Sequence, residues 1–232
     1  MSEQAETIDA TDILIDVLAG RREFYLALAG FYTKPLTQAQ IDEMAKTDYS
    51  AFGAGEPLLE AGFNDITRYL RKRNTGTRQM LATDFTSSFG GAGIYQGKTA
   101  VPYASVFSSA TGLLSQGSRG EVFRVFKRNL LRVVSENTPD DHLSFMLEFL
   151  AIMSDRASEA VREGRTEDAC ACLTESRDFI NTHIFNWFDA FAEQANLLIE
   201  ARFYRGVLKI TKGYLLMDIQ TIDDLLDEMG KS

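Results

Sequence analysis

Residues 138–153 read TPDDHLSFMLEFLAIM and predict the start of a long apolar helix. Thr138 is a good N-cap, Pro139 suits the first helical position, and Asp141 stands three residues after the cap, as in a capping box. The same corner holds an imidazole, two carboxylates and a proline. Because no nucleophile or metal cluster is nearby, this composition is more typical of a recognition surface than of a catalytic centre.

A second box, VPYASVF at residues 101–107, lies upstream of the first. Before it, residues 90–102 contain four glycines and show no helical periodicity. Loops of this length in compact domains are often functional, although a flexible connector is the alternative.

Elsewhere, apolar residues recur with helical spacing, and strand alternation is nearly absent. We predict an all-α fold, a single domain of about ten helices over residues 1–232 with two loosely divided halves. Gly117 and Gly120 mark a candidate hinge, and a hinge would permit a homodimer that exchanges helices. The predicted helices cover residues 11–32, 37–49, 58–73, 77–89, 103–114, 121–136, 139–163, 166–181, 184–204, 207–216 and 221–229.

The 232 residues carry a formal net charge of −9, from 24 basic and 33 acidic side chains. This charge argues against nucleic acid as the main partner and favours a basic peptide. Residues 218–228 hold five acids and no base, which predicts a solvated face or one that attracts a cationic partner. The basic run at residues 68–73 suits the negative end of a helix dipole.

Several features favour the cytoplasm. Cys170 and Cys172 are two residues apart on a predicted helix, a spacing that points them away from each other and predicts free thiols. The acidic N-terminus lacks the basic start and apolar run of a signal peptide. No apolar run reaches the roughly 18 residues that a membrane crossing needs, so stable membrane insertion is not expected.

The sequence lacks the common catalytic motifs. It has two histidines, no phosphate-binding loop, no dinucleotide fingerprint and no nucleophile elbow. We therefore predict no catalytic residue, no metal and no cofactor. An enzyme using Asp140, Asp141 and His142 for acid–base chemistry is one alternative. A helical scaffold or regulator, in which the boxes only cap helices, is the other.

The two boxes together resemble the TorD/DmsD/NarJ group of redox-enzyme maturation chaperones, and the early motif FYLALAGFY at residues 24–32 is similar to that family's first helix. The resemblance implies a TorD-like, all-helical cytoplasmic chaperone. It would bind the twin-arginine signal peptide and the apo form of a molybdenum oxidoreductase subunit, and hold them back from export until the cofactor is loaded. The sequence departs from the family pattern at Ser88, Ala104, Ser144 and Met146.

The resemblance also implies a peptide-binding set. Aromatic rings in this set could pack on the apolar part of the peptide and stack with arginine. Asp141 could accept a bidentate hydrogen bond from a guanidinium, and His142 could orient that carboxylate. The implied residues are Phe85, Phe89, Pro102, Tyr103, Pro139, Asp141 and His142.

Overall fold

A computed structural model describes residues 10–53, 55–108, 116–135 and 138–230. Within these ranges the chain forms ten α-helices, one π-helical segment and, instead of strands, two isolated antiparallel bridges. The predicted all-α class is therefore confirmed. The helices are α1 (Ala10–Thr33), α2 (Gln38–Met44), α3 (Pro57–Leu70), α4 (Thr77–Ser87), α5 (Ala104–Phe107), α6 (Gln116–Arg128), α7 (Leu143–Arg162), α8 (Thr166–Phe179), α9 (Phe188–Leu198) and α10 (Arg202–Met229), and the π-helical segment is Ile180–Ile184.

Two long helix pairs organise the core. Helix α1 packs along α7, and α3 packs along α10, while α8 lies against α7. Apolar residues of these helices form one continuous buried cluster. Burial of that cluster is the main force that holds the helices together, because apolar side chains leave water only when the helices pair.

The α3–α10 pair approaches closely because two glycines face each other. A Cβ atom on Gly62 would lie 2.7 Å from the carbonyl oxygen of Gly206, and a Cβ on Gly206 would lie 2.7 Å from the carbonyl oxygen of Gly62. Any larger residue would therefore push the two backbones apart.

Local signals define some helix ends as predicted. Thr37 and Gln40 form the predicted capping box of α2, although this helix ends at Met44 rather than near Tyr49. Gly164 follows α7 with a positive φ of 70°, a backbone conformation that favours glycine.

The predicted start of α7 is wrong. Thr138 and Pro139 precede the helix, which begins at Leu143 with His142 as its N-cap. Residues 139–142 form a turn instead, in which the His142 N–H donates to the Pro139 carbonyl at 3.2 Å. Long-range hydrogen bonds described below hold this turn and override the local capping pattern.

Three other helix boundaries differ from prediction. Residues 202–229 form one helix, not two, and Thr221 donates its hydroxyl to the Met217 carbonyl within it rather than capping a new helix. Arg165 is the N-cap of α8 and Thr166 its first residue. The predicted helix at 184–204 is interrupted before α10, where the N–H groups of Glu200 and Ala201 donate to Asp84.

The predicted helix at 121–136 is α6, which ends at Arg128. Leu130, predicted to face inward, takes a φ of 57° and is 92% exposed. The predicted hinge glycines 117 and 120 lie in the first turns of α6, and the two-halved domain remains a prediction. Of the predicted helix at 103–114, α5 is the described part, and residues 109–114 lie outside the described residues.

Asp218 contradicts the expectation of a solvated acidic face. This residue is 1% exposed and pairs with buried Arg21. Cys170 and Cys172 are half-buried free thiols. In the described part of the chain, none of the helices combines the length and hydropathy that a membrane crossing requires, and no group of three metal-ligating side chains occurs.

Candidate functional site

The structure brings the two sequence boxes into direct contact. Tyr103 and His142 form an isolated antiparallel bridge, and the Leu143 N–H donates to the Pro102 carbonyl at 2.8 Å. The first box thereby covers the N-terminal end of α7, whose first N–H groups need partners from outside the helix. We call the joined region, residues 101–107 and 138–145, the corner.

Asp141 is the buried link of the corner. Its carbonyl accepts from the Ala104 N–H at 3.1 Å, and its Oδ2 accepts from the Ser105 N–H at 2.8 Å. The residue is fully buried, and no hydrogen-bond donor within the described ranges reaches Oδ1. A bidentate bond from Asp141 to a guanidinium is therefore not available in this arrangement, since Oδ2 already serves α5.

His142 holds a neutral imidazole at the tip of α7. Its Nδ1 accepts from the Ser144 N–H at 3.2 Å and lies 2.7 Å from the Ser144 hydroxyl. Burial lowers the pKa of His142 to about 4, against the opposing attraction of Asp141. Because the Ser144 N–H uses the Nδ1 lone pair, the ring proton lies on Nε2, which is left as a donor.

Tyr103 and Pro139 form the accessible edge of the corner, and both are half-buried. The Tyr103 ring meets the His142 ring edge-on, with centroids 4.9 Å apart. Burial, together with the nearby Asp141, raises the pKa of Tyr103, so its hydroxyl stays protonated. This edge offers an aromatic face and a hydroxyl to solvent, whereas Pro102 is buried behind it.

Phe85 and Phe89 do not reach this edge. They are only 8% and 4% exposed. Phe89 packs against Tyr32, Tyr204 and Phe191 with ring centroids 5.0, 5.4 and 5.8 Å apart, respectively. These two rings belong to the core and cannot stack with a peptide arginine without rearrangement, contrary to the interpretation of the aromatic helix end as surface.

Sequence reasoning missed how the core supports the corner. Phe107 contacts Phe191 at 5.8 Å and stacks on Trp187 at 6.2 Å, so the second box rests on α9 and the turn before it. The Trp187 indole N–H donates to the His183 carbonyl at 2.7 Å. The four-residue spacing of Trp187 and Phe191 was a usable signal, because such residues share one helix face.

Comparison with known proteins gives a consistent result. The family model described as the nitrate reductase delta subunit matches residues 56–193, more than half of the chain. The matched range includes both boxes and all seven predicted peptide-binding residues.

Individual relatives carry one name. A protein named chaperone protein TorD from Vibrio vulnificus is 26% identical over 206 residues, covering 85% of this chain and 92% of the relative. Chaperone protein TorD from Vibrio parahaemolyticus is 27% identical over 207 residues, with 85% and 92% covered. The Vibrio cholerae protein of the same name is 26% identical over 214 residues, with 90% and 94% covered.

Proposed function

The chain belongs to the nitrate reductase delta subunit family, which includes the TorD, DmsD and NarJ chaperones, and from this we propose that it is a cytoplasmic chaperone for a molybdenum oxidoreductase subunit. In this proposal the corner binds the twin-arginine signal peptide and delays export until the cofactor is loaded. The observation that carries it is the union of the two boxes into one corner with free hydrogen-bonding groups.

Charge supports a cationic guest. The chain has a net charge of −9, and burial keeps His142 uncharged near neutral pH. A neutral imidazole does not repel a guanidinium, whereas an imidazolium would. Its Nε2 proton can be donated to a peptide carbonyl, so the residue would recognise the backbone of the guest rather than its charge.

The unpartnered Oδ1 of Asp141 supports a donor from the guest. An unsatisfied buried acceptor costs roughly 1–3 kcal/mol, which a donor from a ligand would recover. Because Asp141 is fully buried, the guest must displace part of the half-buried edge formed by Tyr103 and Pro139 to reach this oxygen. We expect a single hydrogen bond there, in place of the bidentate bond predicted from the sequence.

Tyr103 is the residue whose loss tests the proposal most directly. We expect Tyr103→Ala to weaken binding of a synthetic twin-arginine peptide about tenfold, because a cation–π contact and buried ring area are lost together. Fluorescence anisotropy with the full chain measures this. Tyr95→Ala is the matched control, since Tyr95 is an exposed tyrosine outside the corner whose recorded hydrogen bonds use its backbone.

Equal binding by the two variants, with unchanged far-ultraviolet circular dichroism, would contradict the peptide site. The same titration with a twin-lysine peptide separates shape from charge, because lysine cannot reproduce the planar guanidinium. If both variants and both peptides behave alike, the alternative of a helical scaffold is favoured. The burial of Phe85 and Phe89 already indicates that those two rings serve the fold.

A further inference from the structure

A second surface, unrelated to the corner, stands out by its charge. Arg68 lies in the last turn of α3, Arg71, Lys72 and Arg73 follow directly after it, and Arg78 is the second residue of α4. No acidic residue occurs between positions 66 and 83. We call these five side chains, all exposed, the cationic patch.

The cationic patch is unpaired, unlike many cations of this acidic protein. Arg128, Arg165 and Arg177 each lie within salt-bridge distance of a carboxylate. Across the described ranges, no carboxylate lies within that distance of any side chain of the patch. Like charges left unpaired at one place repel one another, which destabilises the folded chain.

The helix dipole explains only part of the patch. Cations at the end of α3 are favoured there, because the carboxyl end of a helix is negative. Arg78 stands in the first turn of α4, where the dipole is positive and disfavours a cation. Stability of the helices therefore does not account for all five charges.

A hollow adjoins the patch. It has a volume of about 470 Å³ and lies where the α3–α4 junction meets the chain segment before α10. Lys72 lines it together with Tyr69 and Met80, and Met80 is 42% exposed despite being apolar. Glu200 is the acidic residue among its lining side chains. The hollow offers an apolar side chain a place to insert beside the cations.

We propose that the cationic patch and this hollow form a docking surface for an acidic polypeptide segment that carries an apolar side chain among its carboxylates. Charge complementarity identifies the carboxylates, and the concave apolar lining identifies the inserted side chain. A concave pocket suits a side chain better than a lipid surface. The partner differs in charge from a basic signal peptide, so the two surfaces can act independently.

The test uses the full chain and a labelled twelve-residue peptide with four glutamates around one leucine. We expect the double variant Lys72→Glu/Arg78→Glu to weaken binding at least about tenfold, and the exposed pair Arg124→Glu/Lys127→Glu to change it less than about twofold. Binding should weaken as salt rises, because the contact is electrostatic. Glu200→Gln should tighten binding, since it removes a like charge from the hollow.

The apolar contribution has its own arm. Replacing the peptide leucine with serine should weaken binding several-fold to the wild-type protein and less to Met80→Ala, since the two changes remove the same contact. Equal weakening by the two charge-reversal doubles overturns the proposal. So does binding to phosphatidylglycerol vesicles through Lys72 and Arg78 without binding to the peptide, which would assign the patch to a lipid surface.

Discussion

Asp141 and Asp218 are both buried carboxylates, yet the protein surrounds them differently. Arg21 donates to both oxygens of Asp218, from Nε at 2.6 Å and Nη2 at 2.9 Å, and the Tyr25 hydroxyl donates to Oδ2 at 2.5 Å. Asp141 receives one side-chain hydrogen bond, from the Ser105 N–H, and its other oxygen is unpartnered in the described part of the chain. A complete network stabilises a fold, whereas an incomplete one can respond to a ligand.

The location of each carboxylate agrees with this difference. The Asp218 network joins three helices, because Arg21 lies on α1, Asp218 on α10, and the Arg21 Nη1 donates to Ser154 on α7 at 3.2 Å. The Asp141 network joins only two short segments at the tip of α7. The comparison therefore predicts a large structural effect at one carboxylate and a small one at the other.

The largest effect should follow Asp218→Asn. This substitution leaves the buried Arg21 without its counter-ion, and breaking a buried pair in this way costs about 3–5 kcal/mol of unfolding free energy. Urea unfolding measures the loss. Asp168→Asn is the control, because its pair with Arg165 is exposed and worth about 1 kcal/mol or less. A loss below the control value would remove the distinction between the two centres.

A pH titration of stability should give the next largest effect. The folded pKa of His142 is about 4, lowered from 6.5 chiefly by burial. Between these values the unfolded chain binds a proton that the folded chain does not, so stability falls as pH decreases, by about 3 kcal/mol in total. His142→Gln should flatten this slope, measured as urea midpoints at several pH values.

His183→Gln serves as the control for that titration. Burial also lowers the pKa of His183, but this imidazole is less deeply buried, so its removal should flatten the slope less. Parallel pH profiles for wild type and His142→Gln would show that the corner imidazole is not kept neutral by the fold.

The smallest effect should follow Asp141→Asn. The amide oxygen can still accept from the Ser105 N–H, and the lost charge was only partly compensated, so we expect a change within about 1 kcal/mol. Chemical denaturation beside Asp218→Asn makes the comparison direct. If Asp141→Asn were as destabilising as Asp218→Asn, an unrecorded donor would have to satisfy the second oxygen, and the corner would be a closed structural centre.

Local sequence signals predicted much of the helical frame. The bounds of α1 follow from apolar spacing, and the start of α2 follows from the Thr37–Gln40 box, because both depend on residues within a few turns. Asp218 could not be identified in this way. Its partner Arg21 lies 197 residues away, and within its own stretch it is one acid among five.

The candidate site was predictable in place but not in detail. The two boxes indicated that Tyr103 and His142 belong together, and the structure joins them. Local capping rules failed at Thr138 because hydrogen bonds to the first box decide where α7 begins. Phe85 and Phe89 were interpreted as surface rings, since no local pattern distinguishes a buried aromatic helix end from an exposed one.

The π-helical segment Ile180–Ile184 makes chain length a constraint on variation. The Phe185 N–H donates to the Ile180 carbonyl at 3.0 Å, five residues back, so this turn holds one residue more than an α-helical turn. Deleting a single residue here would restore an ordinary helix and rotate everything after it by about 100°. Phe191 would then swing away from Phe107, so a one-codon deletion at this turn should disturb the corner more than most substitutions nearby.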